Sequence, residues 1–158
     1  MIGRVAAFAP VAGPETRLLI VGSLPGAASL AAGQYYAHPR NAFWRLIGAV
    51  AGDENLAALR DARIGLWDAI ATAARAGSLD AAIRDPEAAN LRALVALLPD
   101  LRAVAFNGAT AARIGRRQLA GLTGPVLHDL PSSSPAHAGM PFTEKRARLL
   151  VLAAHLAG

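Results

Sequence analysis

Apolar residues along this chain fall into short unbroken runs separated by stretches of helical period. Leu18-Leu19-Ile20-Val21-Gly22 carries no polar side chain and has the length of a buried strand. Ile64-Gly65-Leu66-Trp67-Asp68, Ala103-Val104-Ala105-Phe106-Asn107-Gly108 and Val126-Leu127-His128-Asp129-Leu130 repeat the pattern, each ending on or beside a polar residue or glycine. Between them the spacing turns helical. Phe43, Leu46, Ile47 and Val50 share one face of a segment that Gly52 ends, and Asp53 caps a short helix to about Ala62. Ala69–Ala76, Leu91–Leu98 and Ala111–Leu119 are predicted helices, and Thr143 caps a last one with Glu144 in its first turn. GSLDAAIRDPEAAN is predicted as a polar connection turning at Asp85-Pro86. Strands alternating with helices predict an α/β fold with a four-stranded parallel sheet covered on both faces.

In such a sheet, ligands bind beyond the carboxyl ends of the strands. Those ends here carry Gly22-Ser23-Leu24-Pro25-Gly26, Trp67-Asp68, Asn107-Gly108 and Leu130-Pro131-Ser132-Ser133-Ser134-Pro135-Ala136-His137. Their coincidence predicts one site on one edge. The densest chemistry follows the first of them: Tyr35, Tyr36, His38, Arg40, Asn41 and Trp44 lie within ten positions. Asn41 also suits a plain helix cap, His38 a bond to backbone beside Pro39, and Asp68 the cap of its own helix.

At 158 residues and 54% hydrophobic, the chain is read as one domain with a sizeable core. Its charge of +5 arises from 16 basic against 11 acidic residues, and Lys145 is the only lysine among them. That balance suits an anionic partner such as nucleic acid, although a GC-rich genome would produce the same arginines. There is no cysteine, hence no disulfide or thiolate metal site. Pro10 and Pro14 interrupt the first apolar run, a poor signal peptide, and no apolar stretch reaches membrane-spanning length. A cytoplasmic monomer without contact to a membrane is the expectation. The sequence lacks GxGxxG, GxxxxGK[ST] and GxSxG, which weakens a nucleotide-binding domain or a serine hydrolase.

The stretches GSLPGAASL, QYYAHPRNAFW, IGLWDAI, GSLDAAI, FNG and LPSSSPAHA, in this order, resemble the uracil-DNA glycosylase superfamily. The resemblance is strongest to its hypoxanthine-DNA glycosylase (DNA-deoxyinosine glycosylase) branch and covers nearly the whole chain. It implies a three-layer α/β/α sandwich and a monofunctional DNA glycosylase that needs no metal or organic cofactor. The implied partner is DNA containing a deaminated base, hypoxanthine first. Uracil or another deaminated base, or a DNA-binding domain without catalysis, are the alternatives.

Breaking an N-glycosidic bond builds positive charge on the sugar and negative charge on the base, which must first be turned out of the duplex. The resemblance implies that Tyr36 stacks on that base and that backbone N–H groups of Ser23 and Leu24, in the loop Gly22–Gly26, stabilise the leaving anion. Mismatch-specific uracil glycosylases carry G-I-N-P-G in this loop, with its Asn positioning water. Leu24 stands in that place here, and the resemblance to the hypoxanthine branch implies that the role passes to the Asn of the HPRN segment, Asn41. His38, Asp68 and Asn107 are candidate base contacts. Ser132, Ser133, Ser134 and His137, the last where the family commonly has Asn, would grip phosphate. Arg40, Lys145, Arg146 and Arg148 would add long-range attraction.

Overall fold

Leu18 and Ile20 face one side of their strand and Leu19 and Val21 the other, and all four are buried. That two-sided burial dictates the architecture of the computed structural model, which describes residues 3–158. The strands, in chain order, are β1 (Arg4–Ala6), β2 (Leu18–Gly22), β3 (Ile64–Asp68), β4 (Ile70–Ala74), β5 (Arg84–Ala88), β6 (Ala103–Asn107) and β7 (Val126–Leu130). The helices are α1 (Ala27–Ala32), α2 (Phe43–Ala51), α3 (Leu56–Asp61), α4 (Leu91–Ala96), α5 (Ala109–Leu119) and α6 (Phe142–Val151).

β2, β3, β6 and β7 form a four-stranded sheet in the order β3-β2-β6-β7, every pairing parallel. Leu18 and Ile20 pack under α2, α3 and α6 through Leu46, Ile47, Leu59 and Leu149. Leu19, Val21, Val104 and Phe106 pack on the other face against Leu91 of α4 and Ala111, Ala112 and Leu119 of α5. Each such side chain contributes about 1.5–3 kcal/mol by leaving water. Gly115 lets α5 lie close, since a Cβ there would stand 2.2 Å from the Phe106 ring. The expected three-layer sandwich is therefore the fold.

The stretch after β3 departs from expectation. Ala69–Ala76 is not a helix: β4 runs antiparallel between β1 and β5 in a second, three-stranded sheet. Alanine's helix preference loses to pairing on both sides and to Arg4, whose guanidinium joins Thr72 and Glu87 across the small sheet. Asp85-Pro86 lies inside β5, an exposed edge strand, where proline's missing N–H costs no ladder bond. The short helix α1 was not evident from the sequence. Asn55, not Asp53, caps α3, its side chain accepting from the Ala58 N–H at 2.9 Å. α6 begins at Phe142 after Pro141, so Thr143 lies within it rather than capping it.

Candidate active site

Every strand of the parallel sheet ends at one edge, and Gly22 is paired there with Asp68. The loop after Gly22 is braced from the segment that follows β4. Arg75, buried, donates to the Pro25 and Gly77 carbonyls. Ser78 Oγ accepts from the Ala27 N–H at 2.9 Å, and Ser23 Oγ donates to Asp80 at 2.7 Å. Leu24 and Pro25 are buried, so Ser23 and Gly26 are the more open members of the loop. Arg75, Ser78 and Asp80 are site residues that sequence reasoning missed. Ser78 and Asp80 stand in GSLDAAI, which carried the family resemblance without a role. Nothing in the sequence distinguished Arg75 from the other arginines.

The aromatic residues form one cluster. Tyr35 is a core residue that donates to the Ala9 carbonyl at 2.9 Å and accepts, through its own carbonyl, from the Trp44 indole at 2.9 Å. Tyr36 adopts φ +53°, a left-handed conformation that a bulky residue holds only under constraint. Its ring stacks on Phe43 at 3.9 Å between centroids, so one face is already covered. Its hydroxyl is buried without a hydrogen-bond partner. Burial, then the charge of Asp68, pushes the Tyr36 phenol up, and the Asn107 carboxamide eases it without completing a hydrogen bond.

Asp68 is 3% exposed, and its Oδ2 is buried without a partner. Desolvation, with Asp80 adding repulsion and Arg75 opposing both, pushes its carboxyl up to about 7. The side chain caps no helix, because β4 follows and the Ala69 and Ile70 N–H groups donate to Gly22 and Ser23 carbonyls.

Asn41 and the serine loop meet through Ser133. The Ala42 N–H donates to the Ser133 carbonyl at 3.0 Å. The Ser133 N–H donates to Asn107 Oδ1, and Asn107 Nδ2 donates to Ser133 Oγ, both at 2.9 Å. Ser133 is thus buried and fixed on three sides. Asn107 spends both ends of its carboxamide on this joint, which ties β6 to the loop. Ser132 Oγ accepts from the Ser134 N–H, and Ser134 Oγ from the Ala136 N–H, a stiff sequence of local turns.

Asn41 Oδ1 accepts from the Phe43 N–H at 2.9 Å, so this residue does anchor the start of α2. The oxygen keeps a second lone pair, and the amide nitrogen has no partner among the described residues. His38 Nδ1 accepts from the Arg40 N–H at 3.1 Å, which fixes its proton on Nε2 when neutral. Arg40 and His137 are exposed, as are Arg146 and Arg148, the last paired with Glu144.

Lys145 corrects an expectation. It is 5% exposed rather than a free surface charge, and its amine donates to the His137 carbonyl at 2.9 Å. Desolvation lowers its affinity for a proton. α6 turns it inward beneath the serine loop, into a cleft also lined by Ile20, Phe43, Asn107, Leu130 and Ser133. The volume open to water inside that cleft is about 20 Å³, room for water but not for a base. Among the described residues no group of three or more His, Asp or Glu is placed to hold a metal. No described helix is long and apolar enough to cross a membrane.

The model of the uracil DNA glycosylase superfamily matches residues 9–155, a span that takes in every element of the site. The chain belongs to that superfamily. It is similar to a hypoxanthine DNA glycosylase of Methanosarcina acetivorans, 38% identical over 138 residues, covering 82% of this chain and 86% of the relative. A hypoxanthine DNA glycosylase of Methanosarcina barkeri is 41% identical over 109 residues, 64% of this chain and 69% of the relative. A solution NMR structure of a candidate uracil DNA glycosylase from Methanosarcina acetivorans superposes with a TM-score of 0.84 at 34% identity, covering 98% of this chain and 99% of that one. Membership makes the chain a hydrolase of N-glycosidic bonds to deaminated bases in DNA.

Proposed function

We propose that this superfamily member removes hypoxanthine from deoxyinosine in DNA, with Asn41 holding the attacking water. The curated relatives carry that activity in their names, and both cover at least two thirds of their own length with this chain. The observation that carries the site assignment is the Ala42–Ser133–Asn107 joint, which holds the Asn41 segment and the serine loop side by side.

The base is turned out of the stack at a cost of a few kcal/mol, which is lower for a mispaired base. The loop Pro131–Pro135 lies against phosphate, with Ser132 and Ser134 at its open side and Arg40 and His137 supplying charge and donors. As the glycosidic bond lengthens, the sugar becomes strongly electrophilic, and a positioned water suffices as nucleophile without a strong base. Asn41 holds it with the second lone pair of Oδ1, while the bond to Phe43 keeps the carboxamide still. Negative charge on the departing base meets N–H groups of the Ser23–Leu24 loop. Tyr36 receives the base on the face turned away from Phe43, and Asp68 contacts its edge.

Release of free base from duplexes carrying hypoxanthine, uracil or xanthine tests the reading, beside the Asn41→Ala variant. Hypoxanthine release that falls steeply in the variant is expected. Absence of hypoxanthine release by the parent protein overturns the substrate, and unchanged release by the variant overturns the assignment of Asn41. Uracil is the second reading, since a solved structure that covers 98% of this chain is named for it.

A further inference from the structure

The geometry points to Asp68 as a proton donor to the departing purine, working beside the Tyr36 hydroxyl. Gly22 shows where the two meet. A Cβ there would stand 2.7 Å from Asp68 Oδ1 and 2.8 Å from the Tyr36 hydroxyl oxygen, so two oxygens from separate elements face one point. That point lies at the carboxyl edge of the sheet, immediately before the Ser23–Leu24 loop. Asp68 Oδ2 and the Tyr36 hydroxyl are both buried and both without partners. A buried polar atom left unpaired costs about 1–3 kcal/mol, and two of them on side chains that converge at Gly22 mark a place where something else completes the bonds.

The surroundings favour the neutral acid. Burial disfavours a charge on Asp68 most, Asp80 repels one as well, and together they outweigh the attraction of Arg75, with Tyr35 and Tyr36 close enough to feel the same carboxyl. Arg75 is committed to the Pro25 and Gly77 carbonyls and forms no ion pair with Asp68. The carboxyl therefore holds its proton up to about neutral pH.

This inference rests on the proposed removal of hypoxanthine. The Asp68 O–H bond breaks and an N–H bond forms at N7 of the purine. The electron pair of the C1′–N9 bond passes into the ring as the proton arrives, so the charge that the Ser23–Leu24 N–H groups meet is partial and the base leaves neutral. Water adds its oxygen to C1′, and the proton it sheds restores Asp68 through solvent, so the sum is hydrolysis. A pyrimidine has no imidazole nitrogen and must leave from N1, so a donor at this position favours purines.

The test is single-turnover base release from duplexes containing deoxyinosine or 7-deaza-deoxyinosine, by the parent protein and Asp68→Asn, from about pH 5 to about pH 9. The parent's rate is expected to fall above about pH 7 and to drop by about 10²–10⁴ with the 7-deaza base, the range of general acid catalysis. Asp68→Asn is expected to be slow by a similar factor, flat with pH, and indifferent to the 7-deaza change. Equal rates and pH profiles for Asp68→Asn and the parent on hypoxanthine overturn the donor while leaving the substrate assignment standing. A parent rate that is flat through neutrality, or unaffected by the 7-deaza change, also overturns it, whether or not the variant folds. A parent that releases no hypoxanthine at all overturns both.

Discussion

Asn107 and Ser133 exchange two hydrogen bonds of 2.9 Å, one to the serine hydroxyl and one from its backbone N–H. A carboxamide at the end of β6 thereby holds a loop that begins after β7. The Ser133 carbonyl then receives the Ala42 N–H, so one buried serine joins three segments far apart in sequence. The site rests on this joint, and its consequences are measurable.

Asn107→Ala leaves the Ser133 N–H and hydroxyl without partners in a buried position. Unfolding by denaturant should show a loss of about 1–3 kcal/mol, and base release should fall as the serine loop loosens. Unchanged stability and activity would mean that the loop is held by other contacts.

Gly22→Ala places a methyl group against Asp68 Oδ1 and the Tyr36 hydroxyl, both closer than real Cβ contacts allow. In the proposed site Asp68 and Tyr36 line the place where the base enters, so base release should fall by at least about tenfold, the equivalent of a misplaced reacting group. Binding to undamaged DNA, which the proposal assigns to the outer loops, should be nearly unaffected in a filter or anisotropy assay.

Asp68→Asn changes the pH dependence of stability. The folded-state affinity of Asp68 for its proton is raised above that of the unfolded chain, so its contribution is fully present below about pH 4 and is lost as pH rises through about 7. Asparagine has no proton to lose. Thermal melts should place the variant above the parent at alkaline pH, with the gap closing as the pH falls below that window.

Arg40 and Lys145 should separate in salt titrations of DNA binding. Arg40 is exposed and Lys145 buried. Arg40→Ala should reduce the slope of log affinity against log salt by about one, as a lost phosphate contact does. Lys145→Met should leave the slope unchanged, because its amine acts on the His137 carbonyl. A reduced slope for Lys145→Met would show that the amine reaches phosphate in the complex.

Much of this architecture is legible in the residues themselves. Strands buried on both faces have to be continuous apolar runs, so β2, β3 and β6 announce themselves, as do the amphipathic helices that cover them. The polar strand ends pointed to one edge because a parallel sheet leaves no other place for them. Ala69–Ala76 failed for the opposite reason: a surface sheet built from alanines has no pattern of its own, and its partners Arg4–Ala6 and Arg84–Ala88 lie far away in sequence. Lys145 misled because its type predicts solvent, whereas its position on α6 turns it beneath the serine loop. The strain at Tyr36 and the meeting of Asp68 with its hydroxyl depend on contacts across elements, which no local window contains.

The measurement that bears most directly on the account is single-turnover release of hypoxanthine from a deoxyinosine duplex by the parent protein and by Asn41→Ala. Release of free hypoxanthine and an abasic site by the parent is expected. The variant's rate should be at least about a hundredfold lower. Loss of the bond to the Phe43 N–H should cost the variant only about 1 kcal/mol of stability, so it remains folded during the assay. No hypoxanthine from the parent, or equal rates from parent and variant, would contradict it.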